Sequence, residues 1–463
     1  ISVPAVTPVK VDIAAAAGRL AAGVRLKTVS SFDDPALNSD QFAKLHELLR
    51  VSFPKLHATL KREVIDAAQG GLGVIYTWQG SDPKAKPIAW MAHQDVVPIS
   101  PGTESAWKAD PWGGEIKDGF VWGRGAWDNK GNLFAQMEAV EMLVASGFQP
   151  KQTIYLIQGA DEEVNGLRGA KKIADLLKSR GIHLDYVLDE GLLITEGVLP
   201  GLKQPAALVG LSEKGYGTFQ LSLEAAPGHS SQPPAQSAIG MMSGALTRIE
   251  QQQYATKISG VPAQMFDALA PEMSGVNRVL LSNLWLFGPL VRGQLEKSPA
   301  SAAMLHTTTA LTIFQAGNKD NVLPGHVDAT VNYRLLPGDT LKDVEAHVKS
   351  ATANDKIVVK AYGGNSEASP VSPTDNLGYR SIQRTLRELF PETTVAPGLM
   401  IGATDARYMT TVADAIYRFS PIRAKPEDLP RFHGTNERLS LTNYAEAIQF
   451  YYQLLRNSGA SAP

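Results

Sequence analysis

Five short segments carry the side chain types that hold divalent cations. They are His93-Gln94-Asp95, Asp128 within a stretch running from Gly123 to Gly131, the adjacent pair Glu162-Glu163, Asp189-Glu190, and His433 in Phe432-His433-Gly434-Thr435-Asn436-Glu437. Two cations together take about six to eight nitrogen and oxygen donors, and imidazole combined with carboxylate suits zinc and its neighbours. The segments supply such a set with one carboxylate to spare for moving a proton. The chain therefore reads as a metallohydrolase.

Taken singly, each segment also has a plainer reading. His93 and Asp95 lie two apart, and on an extended segment such residues face the same way, so Asp95 can bond the imidazole and hold it for a metal; otherwise they are a surface histidine beside a solvated acid. Asp128, in a glycine-rich turn, either caps the helix that follows or bridges two cations. Glu162 and Glu163 follow an apolar run, where adjacent acids repel and cost stability unless a cation sits beside them. One can then ligate while the other acts as general base toward water; a solvated acidic loop is the alternative. Asp189-Glu190 reads as a third acidic donor or as a turn, and a loop histidine such as His433 more often faces solvent. The joint occurrence favours metal chemistry.

Those residues need elements to position them. Residues 11–29 and 39–53 have helical spacing, and residues 73–78 and 87–92 read as a hairpin of apolar and aromatic strands leading into His93. Helical spacing over 133–146 gives way to an apolar strand at 153–158 that runs into Glu162-Glu163; a helix over 168–180 precedes a strand at 186–188 ending on Asp189-Glu190. Such alternation predicts an α/β layer with a mostly parallel sheet flanked by helices, and ligands at the carboxyl ends of strands are where such sheets place their sites. From residue 209 alternating strands and helices describe an α+β unit. The expected division is a catalytic domain over 1–207, an inserted α+β lid and dimerisation domain over 208–354, and the rest of the catalytic domain over 355–463, with residues 356–361 rejoining the first sheet.

Composition bounds the rest. With 463 residues, 44% of them hydrophobic, the chain can bury two cores, since single cores stop growing near about 250–300 residues. A net charge of -2 with no Lys/Arg block leaves no global field for nucleic acid or an anionic membrane. There is no cysteine, so a bound metal must be held by His, Asp and Glu. No apolar run approaches the roughly 20 residues of a membrane-spanning helix. The start at Ile1 and the Pro-punctuated residues after it suggest export to a periplasmic or extracellular compartment.

Six ordered stretches resemble one family. Residues 91–98 around His93, 122–131 around Asp128, Gly159-Ala160-Asp161-Glu162-Glu163, Leu188-Asp189-Glu190-Gly191, Gly228-His229-Ser230-Ser231-Gln232-Pro233-Pro234 and 433–437 are similar to the co-catalytic zinc aminoacylases and carboxypeptidases. The similarity is greatest to the branch of carboxypeptidase S and the N-fatty-acyl-amino acid synthase/hydrolase. The resemblance implies two Zn2+ per subunit, with Co2+ or Mn2+ as alternatives: His93, Asp128 and Glu190 on one, Asp128, Glu163 and His433 on the other, with Asp189 an alternative to its neighbour. It implies Glu162 as general base and Asp95 as the residue orienting His93. His229 would polarise the scissile carbonyl, usually in the partner subunit's site, so a homodimer is expected. Asn321, Arg334, Thr404 and Arg407 match positions near a substrate carboxylate, and Thr404 has helix capping as its plainer role.

The implied reaction is hydrolysis, and in reverse formation, of the amide bond of N-acyl amino acids that keep a free carboxylate. Release of C-terminal residues from short peptides is the alternative. A binding protein for metal or carboxylate without catalysis is the alternative of another class, and the presence of Glu162 argues against it. Residues 254–305 carry many large apolar side chains, read either as extra lid core or dimer packing, or as a surface for an acyl chain.

Overall fold

The computed structural model describes residues 3–459. Its centre is an eight-stranded sheet, in spatial order Lys61–Val64, Val74–Trp78, Ile154–Gly159, Ile88–His93, Leu184–Thr195, Ala413–Ala424, Ala206–Glu213 and Thr394–Met400. Ile88–His93 runs parallel to both its neighbours, as does Ala413–Ala424 to Leu184–Thr195. Every residue of Ile88–His93 and of Ile154–Gly159 is buried. That is why these strands read as continuous apolar runs rather than alternating ones: helices cover both faces. Ile13–Val24, Lys130–Ala145, Leu377–Leu389 and Leu441–Gly459 pack one face around Trp90, Phe134 and Tyr451. Ala170–Ser179 and the turn Asp405–Thr411 cover the other, around Ile157, Ile173 and Met409.

The hairpin expected at 73–92 does not form. Ile154–Gly159 lies between Val74–Trp78 and Ile88–His93 and pairs with both. His93 nonetheless ends its strand at the carboxyl edge of the sheet.

A second, antiparallel sheet has the order Thr308–Ala316, His326–Leu335, Gly215–Glu224 and Val358–Ala361. Ala238–Gln251 and Leu341–Thr352 bury its inner face around Phe219, Met242 and Val348. Two boundaries differ from those expected at 208 and 354. Residues 208–213 belong to a strand of the central sheet, and Val358–Ala361 pairs with Gly215–Glu224 rather than rejoining that sheet. The chain crosses between the sheets at Lys214, whose buried Nζ donates to the carbonyls of Ala303 (2.7 Å) and His306 (2.8 Å).

Apart from Tyr254, which packs on Tyr333 and His347 in the core beneath the second sheet, residues 254–305 belong to neither that core nor either sheet. They fold into short helices, of which Gly260–Leu269 packs on the edge strand Thr394–Met400 of the central sheet. Their separate core joins Met265, Phe266, Leu269 and Leu281 to Leu202 and Ala396.

Candidate metal centre and substrate cleft

Strand ends and a late loop bring the acidic and histidine segments together. His93 is buried, with Nε2 3.1 Å from both Asp128 Oδ1 and Glu190 Oε1 and 3.6 Å from Glu162 Oε2. On the other side of Asp128, Oδ2 lies 2.6 Å from His433 Nε2, which is 3.2 Å from Glu163 Oε1. Two ligand groups result, His93 with Asp128 and Glu190, and Asp128 with Glu163 and His433, each with its donor atoms within 4.8 Å of one another. A third combination, His93 with Glu162 and Glu163, meets the same distance criterion. The first two account for all five expected ligands, use the two oxygens of Asp128 in opposite directions, and leave Glu162 over.

Glu190 rather than Asp189 faces the cluster. Asp189 spends its oxygens on backbone amides, Oδ1 accepting from Glu190 (2.8 Å) and Oδ2 from Ala406 (3.0 Å). Asn129 donates to the second oxygen of Glu190 (2.8 Å) and accepts from the amide of His93 (3.2 Å), so it ties the end of Ile88–His93 to the middle of Leu184–Thr195, which runs on past the end expected at Asp189-Glu190.

Asp95 does more than its spacing from His93 suggested. Its Oδ1 lies 3.2 Å from His93 Nδ1, and its carboxylate accepts from the amides of Glu162 (3.1 Å) and Glu163 (3.0 Å) and from Ser30 Oγ (2.6 Å). The backbone carbonyl of Asp95 lies closer still to His93 Nδ1, at 2.9 Å, so this one residue holds the imidazole plane through main chain and side chain together while its carboxylate fixes the turn presenting the two glutamates.

Glu437 and Arg124 are the residues that sequence reasoning missed. Glu437 is fully buried, and its Oε2 accepts from the amides of Gly125 (2.9 Å), Trp127 (2.9 Å) and Asp128 (3.0 Å). Its Oε1 pairs with Arg124 Nη1 at 2.8 Å, and the same nitrogen donates to Gly434 O at 3.2 Å. The turn holding Asp128 and the loop holding His433 are thus one unit. His433 itself sits at φ 54, a left-handed conformation uncommon outside glycine that the surrounding contacts must hold. Both residues lie inside the quoted motifs, yet nothing local in the sequence pairs positions 124 and 437.

The electrostatics fit a cation. Burial, with Asp128 nearby, lifts the Glu190 carboxyl to about 8. Glu162 is raised well above the ordinary range by burial, against the pull of His93 and with Glu190 and Glu163 adding to the rise. Burial would lower His433, but its contacts with Asp128 and Glu163 outweigh that and lift it to about 10. Burial opposes ionisation of Asp128, yet His433 and His93 hold it below the usual carboxylate range. Four carboxylates converge on two imidazoles at a site that is buried on the His93 side and opens to solvent at His433, an arrangement that is costly without positive charge and that divalent ions relieve.

The expected substrate residues divide. Arg334 lies with its guanidinium 4.5 Å over the ring of Tyr216, and its pKa is lowered by burial and by Arg407, with Tyr216 opposing. No carboxylate pairs with it among the described residues. Lys214, lowered to about 8 by burial and by Arg334, brings a third cation to this region. Arg407 donates to the carbonyl of Asn165 (3.0 Å) and stacks 4.9 Å from Tyr408. The Thr404 hydroxyl donates to Glu213 Oε2 (2.6 Å), which also receives Arg418 Nε (2.9 Å), so its proton is held by the framework. The side chain makes no cap bond. His229 and Asn321 belong to a separate two-stranded ribbon in which Gly228–His229 pairs with Val322–Leu323, and neither takes part in the ligand groups among the described residues. His229 is exposed and bonded to Ser231, and Asn321 O accepts from Ser230 N.

Comparison with known proteins agrees with this geometry. Residues 89–457 match Peptidase family M20/M25/M40. The N-fatty-acyl-amino acid synthase/hydrolase PM20D1 of Xenopus tropicalis is 39% identical, over 95% of this chain and 85% of its own. The probable carboxypeptidase S-like 2 of Dictyostelium discoideum is 38% identical, over 96% and 85%. Among solved structures, the M20 family metallo-carboxypeptidase Sso-CP2 from Sulfolobus solfataricus shares the fold, with a TM-score of 0.71 at 17% identity over 96% of this chain and 99% of that one. A site of His, Asp and Glu built for a divalent cation, in this fold and with these relatives, makes the chain a metal-dependent hydrolase belonging to peptidase family M20/M25/M40.

Proposed function

We propose that the protein hydrolyses the amide bond of N-acyl amino acids that keep a free carboxylate, using two zinc ions held by His93, Asp128 and Glu190 and by Asp128, Glu163 and His433. The observation that carries this reading is Glu162, a partly buried carboxylate 3.6 Å from His93 Nε2 that neither ligand group requires. When bound, the cations ease loss of a proton from the attacking water and stabilise negative charge developing on the substrate carbonyl oxygen. Glu162 accepts that proton as the water oxygen adds to the carbonyl carbon. It then passes the proton to the amide nitrogen as the carbon–nitrogen bond breaks, freeing a carboxylic acid and an amino acid. Asp95 keeps His93 and the Glu162 turn in register. Arg334, with no carboxylate of its own, takes the substrate carboxylate, for which a guanidinium fork is suited. Arg407 and Lys214 add to the positive field around it. The reverse, condensing direction uses the same groups.

The acyl preference draws on the relatives named as N-fatty-acyl-amino acid enzymes. Release of a C-terminal residue from short peptides is the second reading, supported by the carboxypeptidase S-like relative, because such a peptide also has an amide next to a free carboxylate. Rates on an N-long-chain-acyl amino acid and on a blocked Gly-Leu dipeptide, measured side by side, separate the two. Faster turnover of the dipeptide reverses the ranking, and no turnover of either removes the proposal.

We also propose a homodimer formed through the lid. Thr308–Ala316 is an edge strand with Leu311, Ile313 and Phe314 exposed, the kind of edge that pairs with another chain. His229, exposed on the same domain, would then polarise the carbonyl in the partner's site. Mixing an inactive Glu162→Gln chain with an inactive His229→Ala chain restores activity if the sites are shared, and restores none if they are not.

A further inference from the structure

The helices Gly275–Ser282 and Leu284–Leu295 lie back to back, with Leu281 and Val291 turned into the core on the sheet edge. Their other side is apolar and open to solvent. Trp285 is 82% exposed, Val276 71%, Leu290 62%, Leu286 55% and Val279 54%. Leu286 and Leu290, four apart, share one face of their helix, and Trp285 stands at its edge. From Met273 to Leu295 the chain contains no acid; its only charges are Arg278 and Arg292, both exposed, one on each helix. Arg278 has no ion-pair partner among the described residues, and Arg292 has only a loose contact with Glu296 at 3.5 Å. Acids placed within an apolar patch keep it off anionic surfaces; the two helices themselves carry none, and Glu272 and Glu296 only flank the pair at its two ends.

We propose that this helix pair docks on an anionic phospholipid surface, Trp285, Leu286, Leu290, Val276 and Val279 entering the boundary between headgroups and acyl chains while Arg278 and Arg292 meet the phosphates. Tryptophan is the side chain best suited to that boundary, and an apolar face flanked by arginine is the chemistry of helices lying in it. The net charge of -2 means that no long-range field draws the protein in; the attachment is local and rests on apolar insertion, the two arginines adding a short-range term. It does not depend on which amide the metal centre hydrolyses.

The test is flotation of the full chain with phosphatidylcholine–phosphatidylglycerol vesicles and with phosphatidylcholine vesicles alone. The wild-type protein is expected to float with the mixed vesicles. The double variant Trp285→Ser, Leu290→Ser is expected to lose about tenfold or more of its partitioning per side chain. Arg278→Gln with Arg292→Gln is expected to lose about fivefold per arginine on the mixed vesicles and nothing on phosphatidylcholine alone. All four positions are exposed, so unchanged melting temperatures separate loss of binding from loss of fold. Wild-type protein left at the bottom of the gradient overturns the proposal, as do folded variants that float as well as wild type. A dimer in sedimentation that the Trp285→Ser, Leu290→Ser variant converts to monomer also overturns it, by assigning the face to a second copy of the chain.

Discussion

Removing the metal should couple the site to protons, with a sign fixed by the charges around it. Without cations near neutral pH, three ligands hold protons. His433 is lifted to about 10 because its contacts with Asp128 and Glu163 outweigh burial, and Glu190 is lifted to about 8 by burial and Asp128. His93 is raised well above its ordinary value, its carboxylate neighbours overcoming burial. Ligating imidazole and carboxylate are deprotonated, so loading must expel these protons. Loading near pH 7 is expected to release about two to three protons, and the overall association constant should climb by about 10² to 10³ per pH unit, each proton contributing about 1.4 kcal/mol. Raised pKa values mean that the folded, metal-free chain binds more protons than the unfolded one. Its stability therefore falls as pH rises, from the ordinary glutamate range through about 8 for Glu190 and from the ordinary histidine range through about 10 for His433. The melting temperature gap between loaded and chelated protein should widen from about pH 6 to about pH 8. Calorimetry in two buffers of different ionisation heat counts the protons, and melts with and without chelator give the gap. Release of less than about half a proton, or a gap that narrows with rising pH, would refute the convergence of these ligands on a cation.

Four further outcomes follow from individual contacts. Glu162→Gln should lower kcat by about 10²- to 10⁴-fold with metal content unchanged; undiminished turnover would take Glu162 out of the mechanism. Glu437→Ala leaves the Arg124 charge buried without its partner and should cost about 3–5 kcal/mol in denaturant unfolding, whereas Glu437→Gln keeps an acceptor for the three amides and should cost less while still loosening metal; equal stability of the alanine variant and wild type would sink this reading. Arg334→Lys should raise KM for an N-acyl amino acid about tenfold or more, through loss of a bidentate charged pair, and leave unchanged an acylated amine that lacks the carboxylate. Lys214, depressed to about 8, penalises the folded state while protonated, so its contribution improves as pH climbs from about 8 toward 10.5; the wild-type melting temperature should rise relative to that of Lys214→Met over that window, and parallel curves would remove the effect.

The sequence made the site more legible than the fold that carries it. His93, Glu162, Glu163 and Glu190 could be read because each comes directly after an apolar run, although the strand bearing Glu190 continues to Thr195, and the chemistry of adjacent acids there is hard to explain otherwise. Which strands lie side by side is not a local property. Ile154–Gly159 inserts between Val74–Trp78 and Ile88–His93, and a hairpin pattern carries no mark of an intruder from about eighty residues away. Val358–Ala361 is largely exposed rather than buried, so the short apolar run that suggested the central sheet in fact lies on a lid edge. The helices of residues 254–305 look like lid core because they interrupt the lid in sequence, while their apolar residues seek the nearest uncovered surface, the sheet edge at Ala396. Arg124 and Glu437 illustrate the same limit at the site, since a buried ion pair spanning most of the chain has no local period to betray it.

The strand Ala413–Ala424 sits inside the central sheet, between Leu184–Thr195 and Ala206–Glu213, although it is made after nearly the whole lid. The two strands that flank it pair with each other only at Ile194–Ala207 and Thr195–Ala206, so the rest of the space between them is filled by a segment from far later in the chain, with His433 and Glu437 later still. A chain that stops short of Glu437 keeps His93, Asp128 and Glu190 but lacks the clamp on the Asp128 turn. The framework around the Asp128 turn is therefore complete only when Glu437 is in place, far along the sequence from the residues it secures.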